Sequence, residues 1–352
     1  MIRIARSLVL TLCAVPATFA QTLPQQIDSI VAKYQSKNPD FGISVGLIHL
    51  GQEYYTAYGK IARESDVDIN KNSVFEIGSV TKAITGNLTA QAALEGKLKL
   101  SDYIDGYLPE GYALQPALKG KVTISDLASH QSGLPDLDFA ALIALDSEQP
   151  VSSVTKGSML EMVNGAEALT DHGSYRYSAM GFVLLGQILE GVHGMPYHHI
   201  VTEKLVAPLQ LAGTYTKDLS GAYLTAGYNP EGGVQEFFEW NAVAAAGLVK
   251  SSAADMVTYL KNVLDESTPL GQASLKGEET FYSKGSREIG LGLGIVRDGD
   301  DVLYMKSGDT MGQSSVLCYS RQKEWGIVIL LNRSASKMRD ALLNEIYSSV
   351  LK

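Results

Sequence analysis

Phe75-Glu76-Ile77-Gly78-Ser79-Val80-Thr81-Lys82 brings a turn glycine to the start of a helical pattern and sets a serine three residues before a lysine. Val80, Ile84 and Leu88 continue the helical period, and residues three apart share a helix face. A serine hydroxyl is a weak nucleophile without a base in hydrogen-bond reach, and a desolvated lysine with a lowered pKa can be that base. A helix N-terminus also points unpaired amides at developing negative charge. Taken alone, the same spacing describes a helix cap followed by a solvated lysine, so its neighbours in the chain decide between the readings.

Upstream, Gln25 to Gln35 has the pattern of an amphipathic helix, Gly42 to His49 alternates as a strand, Gly51 marks a turn and Glu53 to Tyr58 resumes β-prone residues. Far downstream, Gly290 to Val296, Val302 to Met305, Ser314 to Tyr319 and Trp325 to Leu331 predict four strands, and Lys337 to Val350 a closing helix. Between the ends the period is helical, as in Phe182, Leu185 and Leu189. The expectation is an α+β fold: one central antiparallel sheet built from both chain termini and flanked by helices, with a helix-rich insertion over about residues 85–240 and a cleft where the parts meet. No repeat or linker marks a second domain, so residues 21–352 are expected to form one catalytic domain.

Two further segments give Ser79 and Lys82 company. Tyr175-Arg176-Tyr177-Ser178-Ala179-Met180-Gly181 enters the apolar helix Phe182 to Glu190, and a Tyr177 placed beside cationic lysines would serve as a proton shuttle. Lys306-Ser307-Gly308 follows the strand ending at Met305, where Lys306 would attract a carboxylate and Gly308 would allow a substrate backbone to come close. Each has a bland counterpart, a packing tyrosine and an exposed turn lysine. Three such signals in this order, each at a structural junction, weigh more than any one of them.

In this combination the sequence resembles the serine β-lactamase and penicillin-binding protein superfamily, in particular the class C β-lactamase-like branch with its DD-peptidases and related esterases. The resemblance extends over nearly all of residues 21–352, taking in Leu127 to Pro135, Gly247-Leu248-Val249 with Ser251 to Met256, and Gly308-Asp309-Thr310-Met311-Gly312. It implies an acyl-enzyme at Ser79, with Lys82 and Tyr177 as the base system. It further implies a substrate carboxylate held by Lys306 and Ser307, and an oxyanion hole formed by the backbone amides of Ser79 and Asp309. One position departs from the pattern. The family's second motif is Tyr-x-Asn, whereas this chain has Tyr177-Ser178-Ala179, so the amide that would bond the substrate and the motif lysine is missing. The leading expectation is an acyl-enzyme formed on D-amino-acid peptides, β-lactams or related amides and esters. Losing a buried hydrogen-bond partner costs about 1–3 kcal/mol, which makes a carboxylesterase or acyltransferase with the same Ser79 machinery the alternative. A non-catalytic protein that binds peptidoglycan fragments is the alternative from another class, and the presence of all four polar motif residues speaks against it.

The remaining sequence bounds these readings. Of 352 residues, 45% are hydrophobic and 19% charged, an ordinary globular balance. Residues 1–20 carry Arg3 and Arg6, an apolar run from Leu8 to Val15 and a small-residue end at Ala17-Thr18-Phe19-Ala20, the make-up of a secretory signal, so a periplasmic or secreted location is expected. No later run is long enough for an integral membrane segment. The net charge of −9 disfavours nucleic acid and anionic membranes as partners, and the resemblance implies a small-molecule or peptide substrate. Only Cys318 lies beyond the signal, which excludes an intrachain disulfide in the processed chain. No cofactor or metal is called for: His193, His198 and His199 lack carboxylate or cysteine partners at ligand spacing. Gly42-Ile43-Ser44-Val45-Gly46 matches G-x-S-x-G, but Ser44 sits inside an alternating run rather than on a strand-to-helix elbow. Gly290 to Gly294 lacks the helix of a dinucleotide loop, and Asp102, Asp105, Asp136 and Asp138 fit turn and cap roles.

Overall fold

Alternation along the strands builds the centre of the molecule. In the computed structural model, which describes residues 21–219 and 223–352, Ile43, Val45 and Leu47 turn to one face of the sheet and Ile48 to the other. Trp325–Leu331 divides in the same way, with Trp325, Ile327, Ile329 and Leu331 on the first face and Val328 and Leu330 on the second. Both faces are covered, which is why these strands carry apolar side chains on both sides. The first face packs under the terminal helices Leu23–Lys37 and Ser336–Ile346, and the second under the helical region.

The sheet has eight antiparallel strands in the order Gln52–Tyr58, Ile43–His49, Trp325–Leu331, Ser314–Ser320, Asp301–Asp309, Gly294–Asp298, Arg287–Ile289 and Tyr282–Lys284. Register pairs such as Val45 with Ile329 join the two ends of the chain, as the sequence predicts. Four details differ from the sequence reading. The strand expected from Gly290 begins at Gly294, and the strand expected to end at Met305 runs on to Asp309, so Lys306-Ser307-Gly308 lies within it. The last helix stops at Ile346 and loosens into a π-helical turn, Tyr347–Leu351. The hairpin Tyr282–Lys284 with Arg287–Ile289 was not anticipated, although the two residues between its strands, Gly285-Ser286, are a hairpin signal. The expected signal segment, residues 1–20, lies outside the described residues, and among those described no helix is long and apolar enough to cross a membrane.

Helix Thr81–Leu94 runs through the middle of the helical region, with every residue from Thr81 to Ala90 buried. Its buried hydroxyls and the Asn87 amide nitrogen find partners inside the protein. Thr89 donates to the Thr85 carbonyl at 2.8 Å, Thr85 donates to the Ala245 carbonyl at 2.6 Å, and Asn87 donates to the Tyr259 hydroxyl at 2.7 Å. A helix so enclosed needs close neighbours, and the glycine-rich segment 290–294 supplies one. A Cβ on Gly86 would stand 2.1 Å from the Leu291 carbonyl oxygen, and one on Gly292, where φ is +75°, would stand 2.3 Å from that of Lys82. Backbone meets backbone here, so glycines 86 and 292 answer to packing. Ser44 is a buried residue of strand Ile43–His49, with no elbow around it.

Helix propensity alone would make Gly86→Ala stabilising by about 1 kcal/mol. The Leu291 contact reverses the sign, and we expect a loss of about 1–3 kcal/mol in urea unfolding. A more stable variant would show that segment 290–294 does not press on the helix.

Candidate active site

The turn that carries Ser79 is a single 3-10 turn, Gly78–Val80, leading into helix Thr81–Leu94. It is pressed against the end of strand Asp301–Asp309. A Cβ on Gly308 would lie 2.0 Å from the Ile77 carbonyl oxygen and 2.8 Å from the Ser79 nitrogen, and one on Gly78 would lie 2.9 Å from the Asp309 nitrogen. The closeness that demands glycine at 308 is therefore with the serine turn itself. The same contact brings the amides of Ser79 and Asp309 to one place. Ser315, on the neighbouring strand, donates to the Ile77 carbonyl at 2.7 Å and ties the turn to the sheet.

Three sequence segments converge on the Ser79 hydroxyl. Lys82 Nζ stands 3.2 Å from Ser79 Oγ and also donates to the Ala246 carbonyl at 2.6 Å. Tyr177 Oη donates to Ser79 Oγ at 2.8 Å. Lys306 Nζ lies 4.6 Å from the centroid of the Tyr177 ring and Lys82 Nζ lies 5.1 Å from it, so two amines face one phenol. Lys306 and Ser307 also border a neighbouring hollow of about 170 Å³, shared with His130 and Tyr175.

Burial sets the electrostatics. Lys82 is only 2% exposed, and loss of hydration pulls its pKa down to about 7, opposed by the charge of Asp136. Burial likewise pulls Lys306 down to about 8; Tyr177 opposes that shift and the charge of Lys82 adds to it. His130 is pushed well below the usual imidazole value by burial and by both lysines. Its Nδ1 accepts from the Ser178 amide at 3.1 Å, which leaves the ring proton on Nε2. The His130 ring lies against that of Tyr177, centroids 4.6 Å apart, and fixes the phenol from behind.

Tyr177 precedes helix Ala179–His193, whose first amides are fully capped. Asp136 accepts from Ala179 at 3.0 Å and from Met180 at 2.8 Å, and the Ser178 hydroxyl accepts from Gly181 at 3.1 Å. Asp136 does fill the cap role read from the sequence, for a helix 43 residues further along. Asp309 carries another constraint: both its carboxylate oxygens accept from Arg339 at 2.8 Å, and Arg339, 4% exposed, belongs to the terminal helix. Arg339 and His130 were not singled out as functional in the sequence, because neither falls in a motif of known chemistry.

A recess of about 240 Å³ opens beside Ser79, Lys82 and Tyr177. Its remaining walls include Phe139, Val151, Phe238, Val243 and Leu248, with the methyl group of Ala179 where an asparagine was expected. No periodicity could have found these residues, since they come from separate loops and short helices. Among the described residues no group of histidine, cysteine or carboxylate side chains is placed to hold a metal.

Asp136→Asn keeps an acceptor for the helix amides and removes the charge that opposes desolvation of Lys82. The Lys82 pKa should then fall further below about 7, read by NMR titration of the ¹³Cε-labelled lysine. An unchanged or raised value would mean that Asp136 does not act on Lys82.

Comparison with known proteins identifies the family. The family described as Beta-lactamase matches residues 27–351. A β-lactamase of Pseudomonas fluorescens is 25% identical, the match covering 90% of this chain and 95% of that one. Among solved structures, a class C β-lactamase superposes with a TM-score of 0.80 at 20% identity, covering 93% of this chain and 96% of the other. A β-lactamase/D-alanine carboxypeptidase from Pseudomonas syringae gives the same TM-score and identity over 92% and 99%. With the match spanning almost all of the described fold, the chain belongs to the Beta-lactamase family, within the serine β-lactamase and transpeptidase superfamily, and is a serine hydrolase.

Proposed function

We propose that this protein cleaves esters or amides with an apolar acyl portion by way of an acyl-enzyme on Ser79. The observation that carries the reading is the Ser79 hydroxyl lying between the Lys82 amine at 3.2 Å and the Tyr177 hydroxyl at 2.8 Å. Ser79 Oγ attacks the carbonyl carbon and its proton passes into the Lys82 and Tyr177 pair. The amides of Ser79 and Asp309 stabilise the oxyanion. As the tetrahedral species collapses, the bond to the leaving group breaks and the same pair returns a proton to that group. Water then releases the acyl group by the reverse proton path. Lys306 and Ser307 attract an anionic group on the substrate.

The recess supports an apolar acyl portion. Its walls bring aromatic and aliphatic side chains to the serine, and Ala179 offers no amide to a peptide-like substrate. This favours the ester side of the family. Hydrolysis of β-lactams or D-alanyl peptides is the second reading, favoured by Lys306 beside Tyr177 and by the carboxypeptidase activity named for the Pseudomonas syringae neighbour. Turnover of p-nitrophenyl esters, a chromogenic cephalosporin and D-Ala-D-Ala peptides separates the two. The charged and apolar pattern of residues 1–20 supports export, which N-terminal sequencing of the mature protein tests.

A fluorophosphonate should label Ser79, and Ser79→Ala should abolish labelling and turnover together; labelling that survives the substitution defeats the assignment. A protonated Lys82 cannot accept the serine proton. For a non-ionising ester, kcat/KM should therefore rise with pH up to about 7 and level off above it. Lys82→Met should lower the rate by roughly 10²–10⁴-fold and remove that limb. A limb that persists in the variant would assign the titration to another group.

A further inference from the structure

Three residues upstream of Ser79 lies a buried pair of opposite charges that this chemistry does not use. Glu76 is 5% exposed and Lys250 is 1% exposed. They are register partners in the two-stranded ribbon of Val74–Glu76 with Lys250–Ser252, yet Lys250 Nζ stands 3.7 Å from Glu76 Oε1, longer than a charge-assisted hydrogen bond. Each reaches instead for the same third residue. The Phe238 amide donates to Glu76 Oε1 at 2.7 Å, and Lys250 Nζ donates to the Phe238 carbonyl at 2.5 Å.

Phe238 sits in a stretch without regular secondary structure and forms part of the recess wall beside Ser79. An inward-facing loop must find partners for its peptide groups, and here both groups of one residue are taken by side chains rooted in the ribbon. The ribbon is itself fixed to the turn that enters strand Ser314–Ser320, since the Glu76 amide donates to Gln313 Oε1 at 2.5 Å. Burial pushes the Glu76 carboxyl up and the Lys250 amine down. Dry charges are costly to keep for stability alone, whereas two long side chains gripping one peptide unit fix its place closely.

We propose that Glu76 and Lys250 form a clamp that holds the backbone of Phe238 and so determines which acyl groups the recess beside Ser79 accepts. The two are positioning residues acting through Phe238, and the selected class is an extended aliphatic or aryl acyl group. The proposal rests on the acyl-enzyme reading above and deepens it.

The test compares p-nitrophenyl acetate, butyrate and octanoate with the full mature chain and its Lys250→Met, Glu76→Gln and Phe238→Ala variants. Rates are expressed per Ser79 titrated with fluorophosphonate, so that any loss of folded protein drops out. Lys250→Met should lower kcat/KM for the longer esters by roughly tenfold, the effect of displacing about two methylene contacts, mainly through KM. Acetate should change by no more than about twofold on the same reasoning, since its acyl group does not reach the wall. Glu76→Gln keeps an acceptor for the Phe238 amide and should retain the selectivity of the parent. Phe238→Ala should flatten selectivity, and adding Lys250→Met to it should change nothing more. Equal loss on all three esters in Lys250→Met, or unchanged selectivity in Phe238→Ala, overturns the clamp. Should Lys250→Met yield no titratable serine, the Phe238→Ala and Glu76→Gln results decide. Failure of the parent to label would sink the acyl-enzyme reading itself, a result distinct from labelling without selectivity.

Discussion

An amine shut away from water with a single carbonyl and a hydroxyl for company is the constraint around which this molecule is arranged. Removing Lys82 from solvent lowers its proton affinity, and only a rigid surrounding can keep water from returning to it. The first ten residues of helix Thr81–Leu94 are therefore buried, and Thr85 and Asn87 donate to partners on packed neighbours. The carbonyl of Ala246 comes from the short helix Ala244–Gly247, in which Ala245 offers its own carbonyl to Thr85. Lysine and threonine, one turn apart, thus dock the same short helix. The position of the amine and the packing of the helix are one fact.

The sheet answers a different requirement, to hold the serine turn from the other side. Contact at glycines 78 and 308 leaves no room for a side chain between the turn and the strand, so the amides of Ser79 and Asp309 owe their proximity to bare backbone. Arg339 then neutralises the Asp309 carboxylate, which would otherwise place an unbalanced negative charge beside the proposed oxyanion site. A guanidinium spent in this way is not available to a substrate anion, a task that Lys306 is placed to take up.

Much of the architecture was legible in the sequence because strands that pair across the whole chain are strongly patterned. Trp325–Leu331 was read to the residue, and the two terminal helices were found within a few residues of their ends. The short hairpin at 282–289 escaped because three-residue strands carry too little alternation to stand out. In the site, Ser79, Lys82, Tyr177 and Lys306 stood out because the proposed nucleophile, base pair and cation each demand a particular residue type, and the structure brings these four side chains together. What escaped acts through position. The cap role read for Asp136 gave no hint that its charge would act on Lys82, and Phe238 looks like any apolar loop residue until its peptide groups are traced to Glu76 and Lys250.

The pairing of Ile43–His49 with Trp325–Leu331 has a consequence for the newly made chain. During synthesis the early hairpin emerges with one edge bare, and its permanent neighbour appears only when almost everything else has been translated. Long-range pairing of this kind is slow to form, and it leaves an adhesive edge exposed while it waits. Because the strand that presses on the serine turn belongs to the same late-arriving group, a growing or partly unfolded polypeptide holds a serine and a lysine but no cleft. Hydrolytic competence thus arrives in one step, when the two ends of the polypeptide meet.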